Sequence, residues 1–167
     1  HYLVKKPGDF ERYFKEQLKR LKTEYVDYYL MHMLPDTNVW NKLINLGVLE
    51  WIKEKKESGQ IRHIGFSYHG NTATFVEGLN VYDWEFCQIQ YNYMDENSQA
   101  GREGLHAAAA KGIPVVIMEP LRGGGLANNL PKKAMEAIDK AYCKRSPAEW
   151  SFRWLWDQKE VSVILSG

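Results

Sequence analysis

The sequence predicts an α/β protein with parallel strands, an incomplete (β/α)8 TIM barrel. Three observations carry this. Short runs rich in branched and aromatic residues alternate with helical patterns along the chain. The strand runs are nearly continuously apolar, as expected when both sheet faces are covered. Polar residues collect where the strands end: His32, Ser67-Tyr68-His69, Tyr91-Asn92, Met118-Glu119 and Ser166. In parallel α/β proteins the chemistry sits at those ends.

The first helix is expected over 9–22, with Asp9 as its cap. Phe10, Tyr13, Phe14, Leu18 and Leu21 recur at helical spacing. A strand over 25–32 follows. Residues 33–40 read as a loop. A helix over 48–57 stops at Ser58-Gly59, where Gly59 suits a left-handed cap. Strand 61–67, a short helix over 72–79, strand 86–91 and an Ala-rich helix over 100–111 come next. Pro114 fits the start of strand 113–118.

A longer insertion holds the loop Arg122-Gly123-Gly124-Gly125 and a helix over 131–142. Ser146-Pro147-Ala148-Glu149 reads as a capping box with Pro in the first helical position, opening the last helix. Strand 161–165 ends the pattern. Helices between successive strands provide the crossovers that parallel pairing needs. No G-x-G-x-x-G follows the first strand, which weakens an open dinucleotide-binding sheet. A full barrel needs about 250 residues, so these strands would form its last five. Residues 1–167 read as one domain, part of that barrel.

Composition sets outer bounds. The chain has 167 residues, of which 44% are hydrophobic and 26% charged, so disorder, collagen and coiled coil are excluded. Net charge is +1, without the basic bias of a nucleic-acid binder. No apolar run approaches the roughly 20 residues of a membrane span. Two cysteines, Cys87 and Cys143, lie far apart and in no C-x-x-C pattern. Neither a disulfide scaffold nor a thiolate metal site is expected, and cytoplasm is the default location. The chain starts at His1 and ends behind an apolar strand, which reads as a piece of a longer protein.

Each polar strand end has a plain alternative. His32 reads equally as a loop residue, and Ser67 as a turn cap. The glycine run alone is a weak phosphate signal. Gln88 and Gln90 are harder to dismiss. They share one strand face, opposite Ile89, and two amides inside a barrel need polar partners.

Taken together, the chain resembles the aldo/keto reductases, in their prokaryotic branch. The resemblance rests on YVDYYLMH (25–32), GQIRHIGFSYH (59–69), CQIQYNYMD (87–95), GIPVVIMEPLRGG (112–124) and SPAEWSFRWLWDQKEVSVIL (146–165), in that order. These segments are similar to the fourth to eighth strands of that barrel. The resemblance implies an NAD(P)H-dependent oxidoreductase reducing small-molecule aldehydes or ketones, with NADPH or NADH as cofactor.

By the same resemblance, His32 matches the active-site histidine that orients the carbonyl. Ser67 and Gln88 match positions that bind the nicotinamide carboxamide. Met118 stands where a stacking ring is common, and Pro120, Leu121, Arg122 and Gly123 match the pyrophosphate loop. The family's substrate pocket is formed largely by loops, so the resemblance makes Met33 to Trp40 a candidate pocket wall with Trp40 as its apolar contact, although plain packing explains Trp40 equally well. Tyr68 stands where many relatives have Asn. Some of the branch carry a cysteine-rich iron–sulfur segment, which two cysteines cannot hold. The family's proton-donating tyrosine, with its lysine and aspartate, belongs to strands outside these residues.

The resemblance leaves an alternative: a non-catalytic cofactor-binding or regulatory subunit on the same fold. Five strands of an eight-stranded barrel also leave two open edges. The isolated chain is therefore expected to self-associate, or to need the rest of the barrel.

Overall fold

The computed structural model describes residues 3–166. In chain order the elements are α1 (Gly8–Leu21), β1 (Val26–Met31), α2 (Thr37–Asn45), α3 (Val48–Glu57), β2 (Ile61–Tyr68), α4 (Thr72–Gly78) and β3 (Phe86–Gln90). Then follow α5 (Gly101–Ala110), β4 (Val115–Met118), α6 (Gly125–Asn128), α7 (Lys132–Lys140), α8 (Pro147–Trp156) and β5 (Val161–Ile164).

The five strands form one sheet in the order β1-β2-β3-β4-β5, every pair parallel. This order decides between the two architectures. A doubly wound sheet reverses its strand order at a switch point. Here every crossover advances the same way. Right-handed crossovers that all advance the same way put all helices on one face. The result is an arc of a (β/α)8 barrel, with β1 and β5 as its edges.

Burial separates the two faces of the arc. Ile64, Phe66 and Tyr68 of β2, Cys87 and Ile89 of β3, Tyr91 just beyond it, and Val115 and Ile117 of β4 are all buried. They face the helix layer, and each fully buried side chain of this size contributes about 1.5–3 kcal/mol. The strand register puts Tyr28, His63, Gly65, Ser67, Phe86, Gln88, Gln90, Val116, Met118 and Val163 on the opposite, inner face. That face is open: Tyr28 is 67% exposed and Val163 48%.

The inner face is filled at its amino-terminal end. The Phe86 ring lies across Gly65 and meets the Tyr28 ring edge-on at 5.5 Å, while Tyr28 stacks on His63 at 5.0 Å. A Cβ on Gly65 would sit 2.5 Å from the Phe86 carbonyl oxygen and 2.6 Å from its ring, so only glycine fits. Ser67, Gln88 and Gln90 stand beyond these rings, toward the carboxyl-terminal end of the arc.

Most elements lie where the sequence puts them, and the exceptions have local causes. Asp9 is not the cap of α1. Pro7 holds that position, and Asp9 Oδ2 instead accepts from the Lys5 and Lys6 N–H groups at 2.9 and 3.2 Å. Phe10, Phe14 and Leu18 form the buried stripe of α1, packed on Trp51 and Tyr29, whereas Leu21 is exposed. Gly59 and Gly112 close α3 and α5 with the expected positive φ, 73° and 72°. Ser146 Oγ accepts from Glu149 N at 3.1 Å, but the Glu149 carboxylate turns to Arg145 and Arg153 and leaves the capping box half-made.

The largest difference is α2. The segment read as a loop turns helical at Thr37, because Asp36 Oδ1 accepts from Val39 N at 2.8 Å and caps the helix. Trp40 lies on its buried face. It is 0% exposed, packs against Tyr82 and Trp84 at 5.6 and 4.9 Å, and donates its indole N–H to Val81 O at 3.3 Å. This corrects the pocket-wall reading of Trp40: it is a core residue under the helix layer.

Candidate functional site at the carboxyl-terminal rim

β2 and β3 run side by side with Ser67 opposite Gln88, and β3 and β4 with Gln90 opposite Met118. The rim is built on these registers. Ser67 is buried, and its Oγ accepts from Met33 N at 2.8 Å while its carbonyl accepts from Leu34 N at 2.9 Å. It thereby fixes the turn behind His32, where Met33 adopts φ 48°. Ser67 does not cap the turn that follows it, the plain alternative for this residue; its partner lies in the turn behind β1, and its hydroxyl can still donate.

Gln88 lies half-buried on the inner face. Its amide nitrogen meets Met118 Sδ at 3.3 Å. A thioether is a weak acceptor, so this amide is poorly matched. Gln90 differs. Its nitrogen donates to Asp95 Oδ2 at 3.0 Å and its oxygen accepts from Gln99 at 2.9 Å. Of the two amides that sequence alone left unexplained, Gln90 is satisfied within the protein and Gln88 is not.

Beyond β4 the chain makes a left-handed loop. Glu119 and Arg122 adopt φ 56° and 49°, and Gly123 and Gly124 adopt 61° and 87°. The glycines accept this conformation without a Cβ penalty. Met118, Pro120, Leu121 and Gly123 line a hollow of about 320 Å³, closed on its far side by Leu165 and Ser166 behind β5. Four of the expected cofactor residues thus share one concavity. Arg122 does not line this hollow; its Nε lies 3.4 Å from Asp95 Oδ2.

His32 is exposed and follows directly on β1, the edge strand. It borders a hollow of about 480 Å³ between α1 and that open edge, lined also by Gln17, Tyr29 and Leu30. It shares the rim with Ser67 through the turn that Ser67 holds, while the β4 loop lies three strands along the arc. Trp40 is absent from the rim.

The sequence reading noted Asn92 only as a polar strand end, and missed Asp95 and Gln99. Asn92 Oδ1 accepts from the Met94 and Asp95 N–H groups, each at 3.0 Å, and Asn92 Nδ2 donates to Glu119 O at 3.0 Å. An Asn three residues before an Asp is a turn signal. It marks the turn, but gives no hint of the contact with the next loop.

Cys87 is buried on the helix face, and burial pushes its thiol up to about 12, so it stays protonated. Burial likewise raises the Tyr91 hydroxyl above its ordinary value. Among the described residues no cluster of His, Cys, Asp and Glu could hold a metal ion, and no helix is long and apolar enough to cross a membrane.

Known proteins give this arrangement a family. The family model described as "Aldo/keto reductase family" matches residues 5–167. No curated protein matches the chain by sequence. Among solved structures, the holo form of an aldo-keto reductase from Bacillus halodurans superposes with a TM-score of 0.77 at 20% identity, over 100% of this chain and 59% of that one. An aldo/keto reductase from Brucella melitensis gives 0.67 at 22%, over 97% and 58%. A thermostable aldo-keto reductase bound to the inhibitor epalrestat gives 0.72 at 24%, over 97% and 57%. The chain therefore spans under two thirds of the length of these structures. Its sequence family and its barrel arc agree: the chain belongs to the aldo/keto reductase family.

Proposed function

We propose that the protein carrying this chain is an NAD(P)H-dependent oxidoreductase that reduces aldehyde or ketone carbonyls. In this reading the chain supplies the rim that binds the nicotinamide and pyrophosphate, and the histidine that orients the carbonyl. The observation that carries it is Gln88. Its half-buried amide faces the barrel interior with a thioether as its hydrogen-bond partner. A carboxamide offers that amide both a donor and an acceptor. The residues present therefore fit the nicotinamide group.

The bound cofactor supplies the hydride. This chain's residues hold and orient. Gln88 and the Ser67 hydroxyl hydrogen-bond the carboxamide. Met118, already against the Gln88 amide, packs its polarizable sulfur on the ring. The left-handed loop Pro120–Gly123 lies over the pyrophosphate, where Arg122 adds positive charge. His32 donates an imidazole N–H to the carbonyl oxygen, on which negative charge grows during reduction. The proton reaches that oxygen from the family's tyrosine, which this reading places on strands outside the chain. The open inner face and the two edge strands support the expectation that further strands, or a second copy, cover this arc.

Gln88→Ala tests the assignment. In the full natural protein, the NADPH dissociation constant should rise about 10- to 100-fold, the loss of one or two buried hydrogen bonds. Quenching of tryptophan fluorescence reads it. An unchanged constant with an unchanged melting curve removes Gln88 from the site and the main support for the reading.

A further inference from the structure

The loops behind β2, β3 and β4 are joined by a chain of side-chain hydrogen bonds that ends in one ion pair. His69 Nδ1 lies 3.2 Å from Gln99 Oε1, Gln99 donates to Gln90 at 2.9 Å, and Gln90 donates to Asp95 Oδ2 at 3.0 Å. Asn92 donates to the same oxygen at 2.8 Å, and Arg122 Nε approaches it at 3.4 Å. Asp95 is only 8% exposed, so this single oxygen gathers hydrogen bonds from the end of β3 and from Asn92, and an ion pair from Arg122, in a largely dry setting.

The chemistry of the last link is specific. Arg122 is half exposed, a long side chain that free in solvent samples many rotamers. Its ion pair with Asp95 uses Nε, which leaves the two terminal nitrogens available to an anion. The same turn anchors the backbone, since Asn92 Nδ2 holds Glu119 O. Glu119 and Arg122 are both non-glycine residues in the left-handed region. Such conformations persist where surrounding contacts impose them.

We infer that Asp95 is a positioning residue for anion binding at this rim. It fixes Arg122 and the 119–125 loop in place before the diphosphate of a dinucleotide arrives. The inference rests on the cofactor-binding reading above. Asp95 does not touch the ligand; it acts through Arg122, reducing the ordering that binding must otherwise impose.

The test uses Asp95→Asn, which keeps the shape and removes the charge, in the full natural protein. NADPH affinity should fall about three- to tenfold, the size expected for leaving one long side chain unordered. Arg122→Gln should give a similar loss, and the double variant should be no worse than Arg122→Gln alone. A structural role not routed through Arg122 gives additive losses instead. A second readout needs no cofactor. Amide exchange at Arg122, Gly125 and Leu126, whose N–H groups bond within the loop, should accelerate in Asp95→Asn while β4 stays protected. Additive losses, or unchanged loop exchange, overturn the inference and leave the cofactor reading standing. A wild-type protein that binds neither NADPH nor NADH overturns the cofactor reading, and the role of Asp95 with it.

Discussion

Replacing His32 with alanine in the full natural protein should lower kcat for carbonyl reduction about 100- to 1000-fold, the usual loss for one oxyanion donor. NADPH affinity should stay within about twofold, because the cofactor groups lie around Gln88 and the β4 loop. His32→Gln, which keeps an N–H donor, should recover part of the rate. The geometry motivates the separation. His32 stands behind the edge strand β1, with the cofactor loop behind β4, three strands away. Steady-state oxidation of NADPH with a panel of aldehydes and ketones reads the effect. Full activity in His32→Ala removes the histidine from the mechanism. Tight cofactor binding with no carbonyl-dependent oxidation in the wild type favours the binding or regulatory reading instead.

Trp40→Ala should cost about 3–5 kcal/mol of stability, the range for truncating a large buried aromatic. Trp40 is 0% exposed and anchors α2 onto Tyr82 and Trp84. Trp40→Phe should cost less, since a ring still fills the space and only the indole bond to Val81 O is lost. Denaturant unfolding measures both. The competing pocket-wall role makes a different prediction: unchanged stability and a raised KM. That pattern would contradict the packing described here.

The order of elements was legible because strands and helices have different apolar periods, and because Gly59, Gly112 and Ser146-Pro147 mark boundaries by backbone chemistry. The inner face was legible in part from alternation: Gln88 and Gln90 share it, as the spacing requires. Their different fates were not. Gln90 is satisfied by Asp95 and Gln99, five and nine residues on, through a turn whose path no periodicity encodes. Trp40 stayed open between pocket wall and packing for a related reason. Its burial depends on Tyr82 and Trp84, more than forty residues away, and on Asp36 capping a helix that begins two residues after a proline. Asp9 shows that a good capping residue near a helix start can serve the segment before it. Contacts between loops set these details, and they form only once the parallel strands bring the loops together.

The proposed function stands or falls on whether the carboxyl-terminal rim of this arc binds a nicotinamide dinucleotide. Hydrogen exchange of the full natural protein with and without saturating NADPH tests it most directly. New protection is expected at the tip of β3 and across residues 118–126, with the amino-terminal end around Tyr28, His63 and Phe86 unchanged. Protection confined to that opposite end, or none anywhere in this chain at saturating cofactor, would contradict it.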